Sequence, residues 1–213
     1  MTLRGHALPA SVLVAACIAA CAGASGTPPS LRAVGPGELR TPADFAGIED
    51  REERSRAMFT EATRVIFHPR CINCHPNGDS PTQRDNLEKH DPPVFRGPSD
   101  HGVVGLECTS CHQDTNLELA RVPGAPKWAL APLKMAWQGR SAHDVCEQIK
   151  DKDRNDNKSL EQIVDHMTND PLVAWGWNPG HGRTPAPATQ KEFGALIAAW
   201  VESGAACPLE EKK

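Results

Sequence analysis

The chain contains no tyrosine, and only five Trp and five Phe among 213 residues. Apolar side chains make up 39%, below the roughly 45–50% usual for globular proteins. A core built from them is poor in aromatic rings unless another group supplies flat apolar surface. Positive charge is in deficit as well. There are 23 Lys and Arg against 27 Asp and Glu, with no long basic run, which argues against nucleic acid as the main partner. Long apolar runs are missing too. Leu8 to Ala20 spans 13 residues and is broken by Pro9 and Ser11, short of the roughly 20 that a membrane-spanning helix needs. The chain does have 17 Gly, 19 Pro and eight Cys. The first two counts imply a loop-rich protein, and the cysteines carry the chemistry.

Cys17 and Cys21 belong to a targeting segment. Arg4 followed by the apolar run has the form of a secretory signal over residues 1–20. Ile18-Ala19-Ala20-Cys21 has the form of a bacterial lipobox, in which Cys21 is acylated and becomes the mature N-terminus. Cleavage after Ala22-Gly23-Ala24 is the alternative. Either exit leads to an oxidising compartment, the periplasm, with a lipid tether in the first case. The polar, Pro- and Gly-rich residues 21–44 are expected to be a flexible tether.

Cys71-Ile72-Asn73-Cys74-His75 and Cys108-Thr109-Ser110-Cys111-His112 are two C-x-x-C-H motifs. Two thiols three positions apart on a helical turn reach the two vinyl groups of one haem, and the next residue, His, lies under the iron as proximal ligand. Zinc held by four thiolates, a thioredoxin-like pair and structural disulfides are the competing readings. A zinc site has no need of His directly after each pair. The expectation is two covalently attached c-type haems, with Cys71, Cys74, His75, Cys108, Cys111 and His112 as the binding residues.

Cys146 and Cys207 are left over. A disulfide between them is expected, since an exported protein rarely leaves two thiols free. Two inert buried thiols, or ligation of a haem iron by Cys, are the alternatives.

Each iron has one further axial site. Met135 is the first choice, because it follows Pro132 closely and sits between Trp128 and Trp137, whose indoles could give a thioether a tight apolar pocket. His90 comes second, in a loop stiffened by Pro92 and Pro93. His166 is third, flanking an apolar helix face. His68, His101, His143 and His181 have weaker claims, and Met58 and Met167 fall on helix faces where packing explains them.

Helix signals are spaced along the chain. Phe59, Ala62, Val65 and Ile66 mark one face of a helix over 48–67. Pro132 can start a short helix ending at Gly139. Ser141 with Asp144, Ser159 with Gln162, and Thr189 with Glu192 are capping pairs for three more. In the last of these, Phe193, Leu196, Ile197, Trp200 and Val201 form a buried stripe and Gly204 is the stop. Residues 76–107 lack any period and read as a long loop, which is unusual unless functional. Residues 151–162 alternate acidic and amide side chains like a calcium loop. Asp156 and Gln162 replace the required Gly and Glu, so a solvated turn is expected. The fold class is therefore mostly α: a compact dihaem cytochrome c-like domain over 45–209, with short helices, long haem-wrapping loops and a charged tail at 210–213.

The chain also resembles the small exported dihaem cytochromes known as isoquinoline 1-oxidoreductase subunits. The matching residues are Cys71-Ile72-Asn73-Cys74-His75-Pro76, Arg96-Gly97, Cys108 to His112, Pro123-Gly124-Ala125-Pro126 and Gly139-Arg140-Ser141. They continue with Leu172-Val173-Ala174-Trp175-Gly176-Trp177-Asn178-Pro179-Gly180 and with Trp200 to Pro208, covering about residues 45–209. The resemblance implies an electron-accepting partner of a molybdenum hydroxylase acting on aldehydes or N-heterocycles. The acceptor would be a terminal oxidase or another cytochrome. The chain has no iron–sulfur cysteine pattern, so no hydroxylation of its own is expected. A haem enzyme such as a peroxidase, or a haem-based sensor, is the alternative to an electron carrier. Cleavage before Cys21 removes Arg4 alone among the charged residues, leaving 22 basic and 27 acidic side chains.

Overall fold

The computed structural model describes residues 1–2 and 30–210. The signal segment, Cys21 and the end of the charged tail lie outside them. Among the described residues helices are the main regular structure, six α-helices and short 3-10 turns, with two very short hairpins and long loops between them. No helix among them is long and apolar enough to cross a membrane.

Helix α1 (Arg51–Ile66) begins at Asp50, whose side chain accepts from the Glu53 amide. It buries Met58, Phe59, Ala62, Val65 and Ile66, the face marked by the apolar spacing. Helices α2 (Pro69–Ile72), α3 (Ala142–Lys150), α4 (Leu160–Asn169), α5 (Pro171–Ala174) and α6 (Gln190–Glu202) follow. The boxes at Ser141/Asp144, Ser159/Gln162 and Thr189/Glu192 all form, each satisfying amides that the first helical turn leaves free. The short helix expected after Pro132 is a single 3-10 turn, Leu133–Met135.

Helix α1 packs on α6 through Phe59 and Trp200, whose rings lie 4.9 Å apart. The buried Ser55 hydroxyl donates to the Trp200 carbonyl at 3.2 Å and accepts from the Ala206 amide at 3.0 Å. The exit from α6 is thereby tied to α1. Helices α4 and α6 meet at Gly194, where an added Cβ would lie 2.2 Å from the Thr168 hydroxyl oxygen. In an open helix Gly→Ala is favourable. Here Gly194→Ala is expected to lower stability by about 1–3 kcal/mol in a urea melt, with Thr168→Ala recovering part of the loss. An unchanged or raised midpoint would show that the helices can part without cost.

The expected disulfide is present: Cys146, fully buried on α3, is bonded to Cys207 beyond α6. The tether expected over 21–44 needs correction at its C-terminal end. Residues 30–44 lie against α1 because Leu39 is buried and the Arg40 guanidinium pairs with the buried Glu61 carboxylate at 2.5 Å. Arg64 also donates to the Gly35 carbonyl at 2.6 Å.

The long connection 76–107 is not structureless. It holds the hairpins β1 (Thr82–Gln83) with β2 (Glu88–Lys89) and β3 (Gly102–Val103) with β4 (Leu106–Glu107). Arg96, buried within it, donates to the carbonyls of Gly78 (3.0 Å) and Ala131 (2.9 Å) and pairs with Asp100. Gly97, at φ +65°, lets this segment close on Gly102, whose carbonyl oxygen would be 2.0 Å from any Cβ placed there. At residues 151–159 the side chains serve the turn itself. Buried Asn155 donates to the Ile149 and Lys158 carbonyls.

Candidate functional site

The two C-x-x-C-H motifs fold alike. In each, the His amide donates to the first Cys carbonyl, His75 to Cys71 at 3.1 Å and His112 to Cys108 at 3.0 Å. Each motif is therefore one helical turn with both sulfurs and the imidazole around it. The first is built by α2, whose start is capped by His68 accepting from the Arg70 amide. The second is the 3-10 turn Cys108–Ser110 after β4.

The surroundings repeat as well. His75 Nδ1–H donates to the Met135 carbonyl at 2.7 Å, and the ring stacks on Trp137 at 3.5 Å and 7°. His112 Nδ1–H donates to the Pro123 carbonyl at 2.7 Å, and the ring stacks on Trp128 at 4.5 Å and 9°. A carbonyl only accepts, so the hydrogen sits on Nδ1 and the lone pair on Nε2 in both. Burial pushes the His75 pKa down to about 4 and that of His112 in the same direction, keeping each imidazole neutral. A neutral ring anchored at Nδ1 presents Nε2 as a fixed metal ligand.

The four thiols are unpaired, unlike Cys146 and Cys207. Burial raises the Cys71 thiol to about 12 and Cys74 to about 11. Among the described residues no three His, Cys, Asp or Glu side chains converge to hold a metal ion. The two pairs thus do not make a four-thiolate zinc site, which needs its ligands on one centre. A porphyrin iron makes a smaller demand, since four of its ligands come from the macrocycle.

Cys71, Cys74 and His75 open onto a largely apolar cavity of about 260 Å³ in the helical core. Its wall includes Ile66 from α1, Met167 from α4 and Phe193 from α6. Three buried donors on this wall have no hydrogen-bond partner: Nε and Nη1 of Arg70, and the Trp137 indole N–H. The Arg70 side chain is fully buried, paired through Nη2 with Asp85 and lying 5.8 Å from the Trp175 ring centre. Burial holds its guanidinium below the ordinary value. A buried cation with two idle donors calls for an acidic group in the cavity. The two propionates of a haem, set on an otherwise apolar disc, fit that demand.

The candidate sixth ligands are sorted by this geometry. Met135 lines the same cavity as His75. Its carbonyl receives the Nδ1–H of His75, so it lies behind the ring, on the side away from any iron held by Nε2. Trp128 and Trp137 likewise form no thioether pocket but stack on the motif histidines. His166 lines the same cavity as His75, with its Nδ1 donating to Asp170 at 3.2 Å and Nε2 left over. His90 lies not at the first motif but beside His112, with 6.0 Å between ring centres. His101 and His68 spend Nδ1 on local backbone groups, and His143 spends it on the distant Pro208 carbonyl.

Sequence reasoning did not find Arg70, Pro123 or the links between the two motifs. Trp128 touches His112 on one side and meets Trp175 edge-on at 4.9 Å, and Trp175 lines the first cavity. Asn116, just past the second motif, accepts from the Trp175 indole at 3.2 Å and the Gly124 amide at 3.0 Å. The only available signal was the density of Trp around the motifs. A helical fold with two like sites in contact is the class that these observations define. Comparison with protein-family models, with curated proteins and with solved structures gives no match to this chain.

Proposed function

We propose that the protein is an exported dihaem c-type cytochrome that passes electrons between a redox enzyme and the respiratory chain. The observation that carries the reading is the repetition. Twice, a C-x-x-C-H turn sets two free thiols beside an imidazole whose Nδ1–H is given to a carbonyl and whose ring is stacked on a Trp. When bound there, each haem supplies a reversible one-electron iron couple.

The residues do the rest. Cys71 and Cys74, and Cys108 and Cys111, fix the two macrocycles covalently. His75 and His112 hold the irons. The unpartnered donors of Arg70 and Trp137 would bond acceptors on the first group, and α1, α4 and α6 would wall it from water. The loops 76–107 and 113–131 wrap the second. His166 is the imidazole placed to complete the first centre, oriented by Asp170. The resemblance supports a molybdenum hydroxylase as donor, with a terminal oxidase or another cytochrome as acceptor. The leader supports the periplasm, with Cys21 as a lipid attachment point.

The test is expression with the export signal in a host that matures c-type cytochromes. The expected product carries two haems per chain by intact mass and by pyridine haemochrome, and titrates reversibly without turning over peroxide. Rapid peroxide turnover would move the protein to the enzymes. A mature chain without haem would end the cytochrome reading. Arg70→Leu in this background is expected to keep both haems but lower the melting temperature, since a buried acidic edge then loses its donors. An unchanged Tm would detach Arg70 from the group.

A further inference from the structure

We propose that His90 is the second axial ligand of the iron held at the second motif, so that this centre has two imidazoles and no open position. The assignment rests on the dihaem reading above and deepens it. It joins a residue of the inter-motif loop to the later motif rather than to the one it follows in sequence.

The ring centres of His90 and His112 are 6.0 Å apart and their planes are inclined at 68°. A metal–imidazole nitrogen bond is about 2.0–2.1 Å. The ring centre lies about 1 Å beyond that nitrogen, so two imidazoles on one ion stand roughly 6 Å apart, centre to centre. The observed separation matches that spacing. The stacked partners of the motif histidines sit closer, at 3.5 and 4.5 Å. His90 and His112 are thus set edge-on and farther apart than either motif imidazole is from its stacked Trp.

Both rings are also prepared in the same way. His90 Nδ1–H donates to the Pro92 carbonyl at 2.8 Å, as His112 Nδ1–H donates to Pro123 at 2.7 Å. Each carries its lone pair on Nε2. His90 is fixed by its neighbours, following β2 directly. The alternatives are placed elsewhere: His166 lines the first cavity, Met135 backs His75, and His101 is exposed with its Nδ1 on Ser99.

The experiment compares carbon monoxide binding by the reduced two-haem protein, wild type and His90→Ala. The variant is expected to bind one additional carbon monoxide per chain and to show one high-spin haem, with added imidazole restoring the low-spin spectrum. His101→Ala, on the same loop, is expected to leave spectrum and binding unchanged. His90→Met keeps the position filled and is expected to raise only one of the two midpoint potentials, because a thioether ligand favours the reduced iron. This second variant reads the ligand even where the Ala variant accumulates poorly. Two haems with wild-type carbon monoxide binding in His90→Ala and unmoved potentials in His90→Met would overturn the assignment alone. A chain that matures without haem would overturn the dihaem reading and the assignment with it.

Discussion

Replacing Cys71 and Cys74 together by Ser is expected to unfold the protein, whereas the same change at Cys108 and Cys111 is expected to remove one haem and leave the helical core standing. The difference comes from where the two turns sit. The first opens into the core, on a cavity of about 260 Å³ walled by Ile66, Ile149, Ile163, Met167 and Phe193. Left unfilled, a void of that size costs on the order of 6 kcal/mol at about 24 cal/mol per Å³. That is comparable with the roughly 5–15 kcal/mol holding a whole domain together. The idle donors of Arg70 and Trp137 would add to the cost. The second turn lies nearer the surface: Cys111 is exposed and none of Cys108 to Ser110 is buried, whereas Ile72 and Asn73 of the first turn are. Far-ultraviolet circular dichroism on both variants checks the asymmetry. Equal loss of helix in the two, or in neither, would contradict the placement of the first site in the core.

Removing the disulfide is the second large effect. Cys146 and Cys207 are 61 positions apart, and the loop they close holds α4, α5 and α6. In the chain-entropy treatment, a loop of that length restricts the unfolded chain by about 4 kcal/mol. The Cys146→Ser/Cys207→Ser double variant is expected to lose about 2–4 kcal/mol in guanidinium unfolding of the haem-loaded protein. The loss should arise with little change in the folded spectrum, because the restriction acts mainly on the unfolded chain. A change under about 1 kcal/mol would mean that the haems already restrict the unfolded chain as much as the bridge does.

The helices were legible because their signals are local. Ser141, Ser159 and Thr189 each stand three residues before a side chain able to return the hydrogen bond, and the apolar spacing of α1 and α6 names their buried faces. The disulfide was legible by elimination once four cysteines had been given to the motifs. The C-x-x-C-H spacing marked both turns for the same reason. What failed was anything set by tertiary placement. Met135 looked like a ligand because a thioether between two tryptophans suits an iron, but it is the backbone carbonyl of Met135 that meets His75. Pro123 meets His112 in the same way, and a carbonyl has no sequence signature. His90 follows the first motif in the chain and lies against the second in space. Arg70 gave no signal, because arginine is rarely buried so fully. Residues 30–44 read as a tether from their Pro, Gly and polar content, but buried Leu39, the Arg40–Glu61 pair and the Arg64–Gly35 bond hold them against α1.

The depth of the first pair of thiols has a consequence for the order of events in the life of the molecule. On the dihaem reading, each S–H must add across a vinyl C=C, and the reactive species is the thiolate. Burial pushes both thiols up in the folded chain, Cys71 to about 12 and Cys74 to about 11, which disfavours the thiolate at neutral pH. The finished fold is thus a poor substrate for its own maturation. On that reading attachment is expected on the still open chain, before α6 packs onto α1 and Cys146 closes with Cys207, which would seal in place what could no longer be inserted.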